Sequence, residues 1–187
     1  MAVCTLLVAL AMAACSGSPP NHPPRATAPP GVDRALPKST YAAQQAVLGA
    51  WLAGERQYYA YMDEPAAPLR AKLLAGTTPA ELFPNASTYA TGPSLQAEYA
   101  TLKAMKLDLL RGPTTYHLGQ LTIAAFTGTS ATVAFCGTDT GTTTADGQPG
   151  PVTLDGGPGG ARGTANLVLV DGRWKAETGQ STSVSSC

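Results

Sequence analysis

Glu55 and His117 are the residues best suited by type to move a proton. Glu55 stands within Trp51-Leu-Ala-Gly-Glu-Arg-Gln-Tyr58-Tyr59, an otherwise mostly apolar stretch. On a helix advancing about 100° per residue, Val47, Leu48, Trp51, Leu52, Tyr58, Tyr59 and Met62 fall in one broad stripe. Glu55 projects into the middle of that stripe, and Gln44 lies on the same line. A carboxylate there is desolvated and functional, or paired, or marks where the stripe surfaces. His117 opens a long β-type run. The chain's other histidine, His22, sits in a proline tract and reads as solvated. On a sheet facing the first helix, an imidazole and Glu55 could perform general acid–base work. A satisfied or exposed strand histidine is the plainer alternative. The candidate pocket is therefore Trp51, Glu55, Tyr58, Tyr59, Met62 and His117.

Other reactive patterns are weak. Asp139-Thr-Gly imitates the Asp-Thr-Gly of aspartic proteases, but it follows Cys136-Gly-Thr in a Thr- and Gly-rich loop and has no second copy. No nucleophile elbow, phosphate-binding loop, His-Glu-x-x-His or dinucleotide fingerprint occurs. No catalytic residue is assigned, and no cofactor or metal is expected. Lys+Arg and Asp+Glu are both 12 of 187 residues, giving a net charge of +0, and neither sign forms a block. That balance argues against a nucleic-acid partner, which would call for a basic patch.

The chain's start says where such a domain would work. Val3 to Ala14 is an apolar run too short to span a bilayer but suited to a signal sequence. Met12-Ala13-Ala14-Cys15 resembles the lipobox of bacterial lipoproteins, which implies cleavage before Cys15 and a diacylglycerol linked to its sulfur by a thioether, with palmitate among the attached fatty acids. Met12 stands where Leu is commoner, and Met1-Ala-Val-Cys4 lacks the usual positive charge, which suggests a true start upstream of Met1. From Ser16 to Lys38 the chain is proline-rich without apolar periodicity. An extended tract of that length, at about 3.1 Å per residue, reaches up to roughly 70 Å. The expected organisation is a signal peptide over 1–14, a lipidated cysteine and linker over 15–38, and one domain over 39–187. Its expected address is the extracytoplasmic face of the cell membrane, held by lipid.

Within the domain, Ser39 or Thr40 can cap a helix through Met62. Pro65 and Pro68 break it, and Leu69 to Ala75 allows two turns closed by Gly76. Thr78-Pro-Ala-Glu81 is a capping box ahead of a short helix. Thr91-Gly-Pro93 opens a helix with Leu95, Tyr99, Leu102 and Met105 at helical spacing, ending near Lys106. Beyond Leu107 the pattern becomes β: a strand over Tyr116–Phe126, another over Ala131–Cys136, a long mobile loop from Gly137 to Gly160, and a hairpin of Gly163–Val170 and Arg173–Glu177 turning on Asp171-Gly172. Helices first and antiparallel strands afterwards predict an α+β fold, with helices packed on one face of a curved sheet.

A long first helix, smaller helices, then meandering strands ending in Asp171-Gly-Arg-Trp174-Lys resembles the nuclear transport factor 2-like (ketosteroid isomerase-like) cone. Small exported lipoproteins of this kind, actinobacterial in type, share a mid-sheet Ala-x-Val-x-x-Cys and a terminal Cys, here Ala131 to Cys136 and Cys187. The resemblance implies the fold and no activity, since the ketosteroid isomerase catalytic set does not align residue by residue. With Cys4 lost with the signal and Cys15 lipidated, Cys136 and Cys187 are an even pair in an oxidising compartment, and a disulfide is expected. Together these features point to a tethered, non-catalytic lipoprotein of the cell envelope that binds a protein, a peptidoglycan-related or a small apolar ligand. The alternatives are a cone-fold isomerase- or cyclase-like enzyme using Glu55 and His117, and a structural accessory of an envelope complex.

Overall fold

The computed structural model describes residues 38–112, 117–139, 144–145 and 159–187, with the side chains of 38, 39, 117, 139, 144 and 159 excepted. The expected signal sequence, Cys15, the expected linker up to residue 37 and most of the 140–158 stretch lie outside the described residues.

Helix α1 (Lys38–Asp63) runs past both ends of its predicted span. Of its stripe, Val47, Leu48, Trp51, Tyr58 and Tyr59 are buried, whereas Leu52 and Met62 are half-buried. Helix α2 (Ala66–Leu74) begins directly after Pro65 and accepts Pro68 in its first turn, where a missing N–H costs nothing. The capping box forms as expected: Glu81 N–H donates to Thr78 Oγ1, and Thr78 N–H donates to Glu81 Oε2, starting α3 (Pro79–Leu82). A further turn, α4 (Ala86–Tyr89), leads to α5 (Gly92–Leu107).

The buried line of α5 corrects the expected one. Ser94, Leu102 and Lys106 are buried, while Leu95, Tyr99 and Met105 are only half-buried. Positions 94, 98, 102 and 106 follow an i, i+4 ladder, so the inward face of α5 is mostly polar. Lys106 reaches the end of α1, where its Nζ donates to the carbonyls of Met62 and Glu64, both at 2.7 Å. Arg111 Nε donates to the Asp63 carbonyl at 2.8 Å, and Gly112 N–H to that of Met62 at 2.9 Å. Terminal carbonyls that α1 cannot pair internally are thus satisfied by donors from the α5–β1 connection. Gly112 is needed there, because a Cβ would meet Met62 Cβ at 2.6 Å.

The run from Leu107 to Leu110 is extended only at its last residue. The helix continues to Leu107, Leu109 adopts φ 59°, and only Leu110–Arg111 (β1) is extended, paired with Thr144–Ala145 (β4). The main sheet holds β2 (His117–Phe126), β3 (Ser130–Asp139), β5 (Gly159–Val170) and β6 (Arg173–Val184), antiparallel in the order β2-β3-β5-β6. The β5–β6 turn places Asp171 and Gly172 at φ 50° and 73°, the left-handed pair that a two-residue hairpin needs. Register shifts in β2 and between Asn166 and Leu167 mark bulges, which bend a sheet. The α+β expectation is met.

Val47, Leu48, Trp51 and Tyr59 of α1 pack on Leu121, Val133, Phe135, Ala165, Leu167 and Trp174 of the sheet. A second cluster, Tyr58, Tyr61, Leu69, Phe83, Ala86 and Leu102, joins the helices. Cys136 and Cys187 lie at disulfide distance, Sγ to Sγ 2.12 Å and Cα to Cα 5.7 Å. No described helix is long and apolar enough to cross a membrane.

Candidate functional site

A narrow cavity opens where α1, α4, the start of α5 and β6 meet. Its lining is Trp51, Gly54, Glu55 and Tyr58 from α1, Tyr89 and Ala90 at the end of α4, Ser94 and Glu98 from α5, and Ala176 from β6. About 30 Å³ is open to the centres of water-sized molecules. That is room for a few waters or a small ligand group.

Local structure explains the convergence. Trp51, Glu55 and Tyr58 occupy successive turns of one face of α1, and Ser94 and Glu98 are one turn apart on α5. The two helices are held against the sheet by a parallel bridge between Ala90 and Ala176, with the Thr91 N–H donating to the Ala176 carbonyl at 2.8 Å. Lys175 adds a clamp through its Nζ, which donates to the Ser87 carbonyl at 2.6 Å. Gly54 lets α1 approach α4, since a Cβ there would stand 3.0 Å from Tyr89 Cβ.

The electrostatics are those of a largely buried acidic site. Glu55 is 3% exposed, and its Oε2 has no hydrogen-bond partner among the described residues. Burial pushes its carboxyl well above the usual range, and the nearby charge of Glu98 pushes it further. Glu98 is half-buried, and desolvation raises it to about 7. Tyr58 is raised by burial, then by Glu98 and Glu55, against a hydrogen bond with Thr101. Ser94 Oγ and Trp51 Nε1 are also buried without described partners. None of the lining residues is Lys, Arg or His. Two carboxyl groups sharing a low-dielectric space hold on to protons until something positive replaces them.

Trp51, Glu55 and Tyr58 of the expected pocket do line this cavity. Tyr59 and Met62 do not: Tyr59 packs under the sheet, and Met62 bridges the two apolar clusters. His117 starts β2, paired with Thr138, and its side chain lies outside the described residues. β2 and β6 are the two edges of the sheet, three strand spacings or about 14 Å apart along it, and the cavity borders β6. Glu98, Ser94 and Tyr89 were missed. The available signal was the Ser94–Glu98–Leu102–Lys106 ladder, which an apolar template passes over. No described group of three or more His, Cys, Asp or Glu could hold a metal ion.

A wider groove, about 550 Å³, crosses the opposite face of the sheet among Gln120, Thr122, Arg162, Thr164, Gln180 and Thr182. It is open and carries no buried unpaired group, so the narrow cavity is the stronger site.

No protein-family model and no curated protein matches the sequence. Among solved structures, the intermembrane space region of the chloroplast protein ARC6 is similar at 14% identity and TM-score 0.43, over 74% of this chain and 92% of that one. A candidate scytalone dehydratase from Novosphingobium aromaticivorans is similar at 17% identity and TM-score 0.45, over 78% of this chain and 87% of that one. At these identities the likenesses concern fold and carry nothing about activity.

Proposed function

We propose that this chain is an exported, lipid-anchored domain that binds a ligand without transforming it, at the cavity between α1, α4, α5 and β6. The observation that carries the site is Glu55, a carboxyl buried at 3% exposure with an unpartnered oxygen in a partly open, aromatic-walled space. Leaving such a group unpaired costs on the order of 1–3 kcal/mol, which a bound ligand recovers. The anchor rests on the sequence alone: the apolar run, Met12-Ala-Ala-Cys15 and the proline spacer. A second reading is acid–base catalysis, favoured by a Glu98 that titrates near 7, with the two carboxyls in place of the Glu55–His117 pair.

One preparation tests both halves. Wild-type chain should fractionate with membranes and Cys15→Ala should not; membrane retention of Cys15→Ala would remove the anchor. Native mass spectra of the membrane-derived protein should show a small-molecule adduct that Glu55→Gln loses. An adduct unchanged in Glu55→Gln would move the site elsewhere, and a chemically converted one would favour catalysis.

A further inference from the structure

Resting on that binding reading, we infer that the cavity takes a primary ammonium group, the head of an alkylamine-type ligand whose chain leaves through the mouth. Three acceptor-bearing side chains line the space, Glu55, Glu98 and Ser94, and Glu55 Oε2 and Ser94 Oγ are buried without described partners. A primary ammonium carries three N–H donors and no acceptor, so it matches that set one for one. The lining supplies two acids and no base, and in a largely buried site the attraction of a cation for paired carboxylates is least screened. Trp51, Tyr58 and Tyr89 add aromatic walls, the surfaces that cations favour.

Size narrows the class. Space of about 30 Å³ for the centres of water-sized molecules suits a compact primary ammonium head better than a bulkier quaternary one. A divalent metal is a poorer match, because the site brings two carboxylates together and no described group of three or more His, Cys, Asp or Glu could hold a metal ion. The cation replaces protons that the free site holds, so binding releases protons and tightens as pH rises through 7. The titratable groups around it are Glu55 and Tyr58 on α1, Tyr89 on α4 and Glu98 on α5. On β6, Lys175 is held by the Ser87 carbonyl, and Glu177 lies beside Gly92.

The test titrates the full chain, in non-ionic detergent and phosphate buffer at pH 8, with n-butylammonium, 1-butanol and tetramethylammonium, reading the Trp51 indole N–H by NMR. n-Butylammonium should shift that resonance saturably, at least tenfold more tightly than the other two. Glu98→Gln and Ser94→Ala, with dispersed spectra showing them folded, should each weaken it, Glu98→Gln by tenfold or more. Affinity should drop several-fold at pH 6. If 1-butanol or tetramethylammonium binds as tightly, the ammonium assignment falls and the binding site stands. If none of the three moves the resonance, both fall.

Discussion

Glu98 is a side chain that works against the fold at neutral pH. Its folded form titrates near 7, whereas a glutamate in an unfolded chain titrates near 4.3. Below the unfolded value both states carry the proton and the folded state loses nothing. As pH rises from the unfolded value to the folded one, the unfolded chain ionises in water while the native protein must hold its proton or bury a charge, and stability drains away until it levels off above the folded value. The expected loss between about pH 5 and 8 is on the order of 3 kcal/mol, and Glu55, whose carboxyl is raised by the same burial, adds to it. Urea unfolding across that range should show the decline in wild type and a flatter profile in Glu98→Gln. Matching profiles would mean that Glu98 is solvated.

At the scale of elements, the junction of α1 with α5 depends on one buried cation. Lys106 is 0% exposed and donates to two carbonyls at the end of α1. Lys106→Met keeps the stem's volume but removes both charge-assisted bonds, and should cost about 3 kcal/mol. Denaturant midpoints at an unchanged slope would measure it, and a loss under 1 kcal/mol would contradict the assigned role. This junction also shows what the sequence concealed. α1, the capping box and the Asp171-Gly172 hairpin were legible because local chemistry dictates each of them. The end of α5 was legible to within a residue, but the left-handed turn at Leu109 that follows it was not, because glycine is the usual sign of one. The inward ladder of α5 was hidden for a related reason: Ser94, Glu98 and Lys106 read as surface residues until their tertiary partners are known. Half of the site came from the aromatic stripe around Glu55, and half from a helix whose polar side faces in.

For the molecule as a whole, the Cys136–Cys187 link ties together residues with a sequence separation of 51. A closed loop of that length stabilises by about 4 kcal/mol in the chain-entropy model. Reduction, or the double Cys→Ser variant, should lower the unfolding free energy by that order, whereas an unchanged midpoint would show that the link contributes nothing. Cys187 also packs over β2, where a Cβ on Gly119 would stand 3.2 Å from Cys187 Cβ. The sheet is therefore fastened at β3 by this link and at β6 by the helices.

The bridge between Ala90 and Ala176 has a consequence for self-association. β6 is an edge strand of twelve residues, a length that invites another chain to add to it. The Thr91 N–H occupies the Ala176 carbonyl near the start of that edge, and α4 and α5 stand across it. One seam thus forms a wall of the cavity and covers that end of the edge against strand addition. Changes that widen the cavity by loosening this seam expose a template for aggregation, so the site's narrowness and the protein's solubility rest on the same contact.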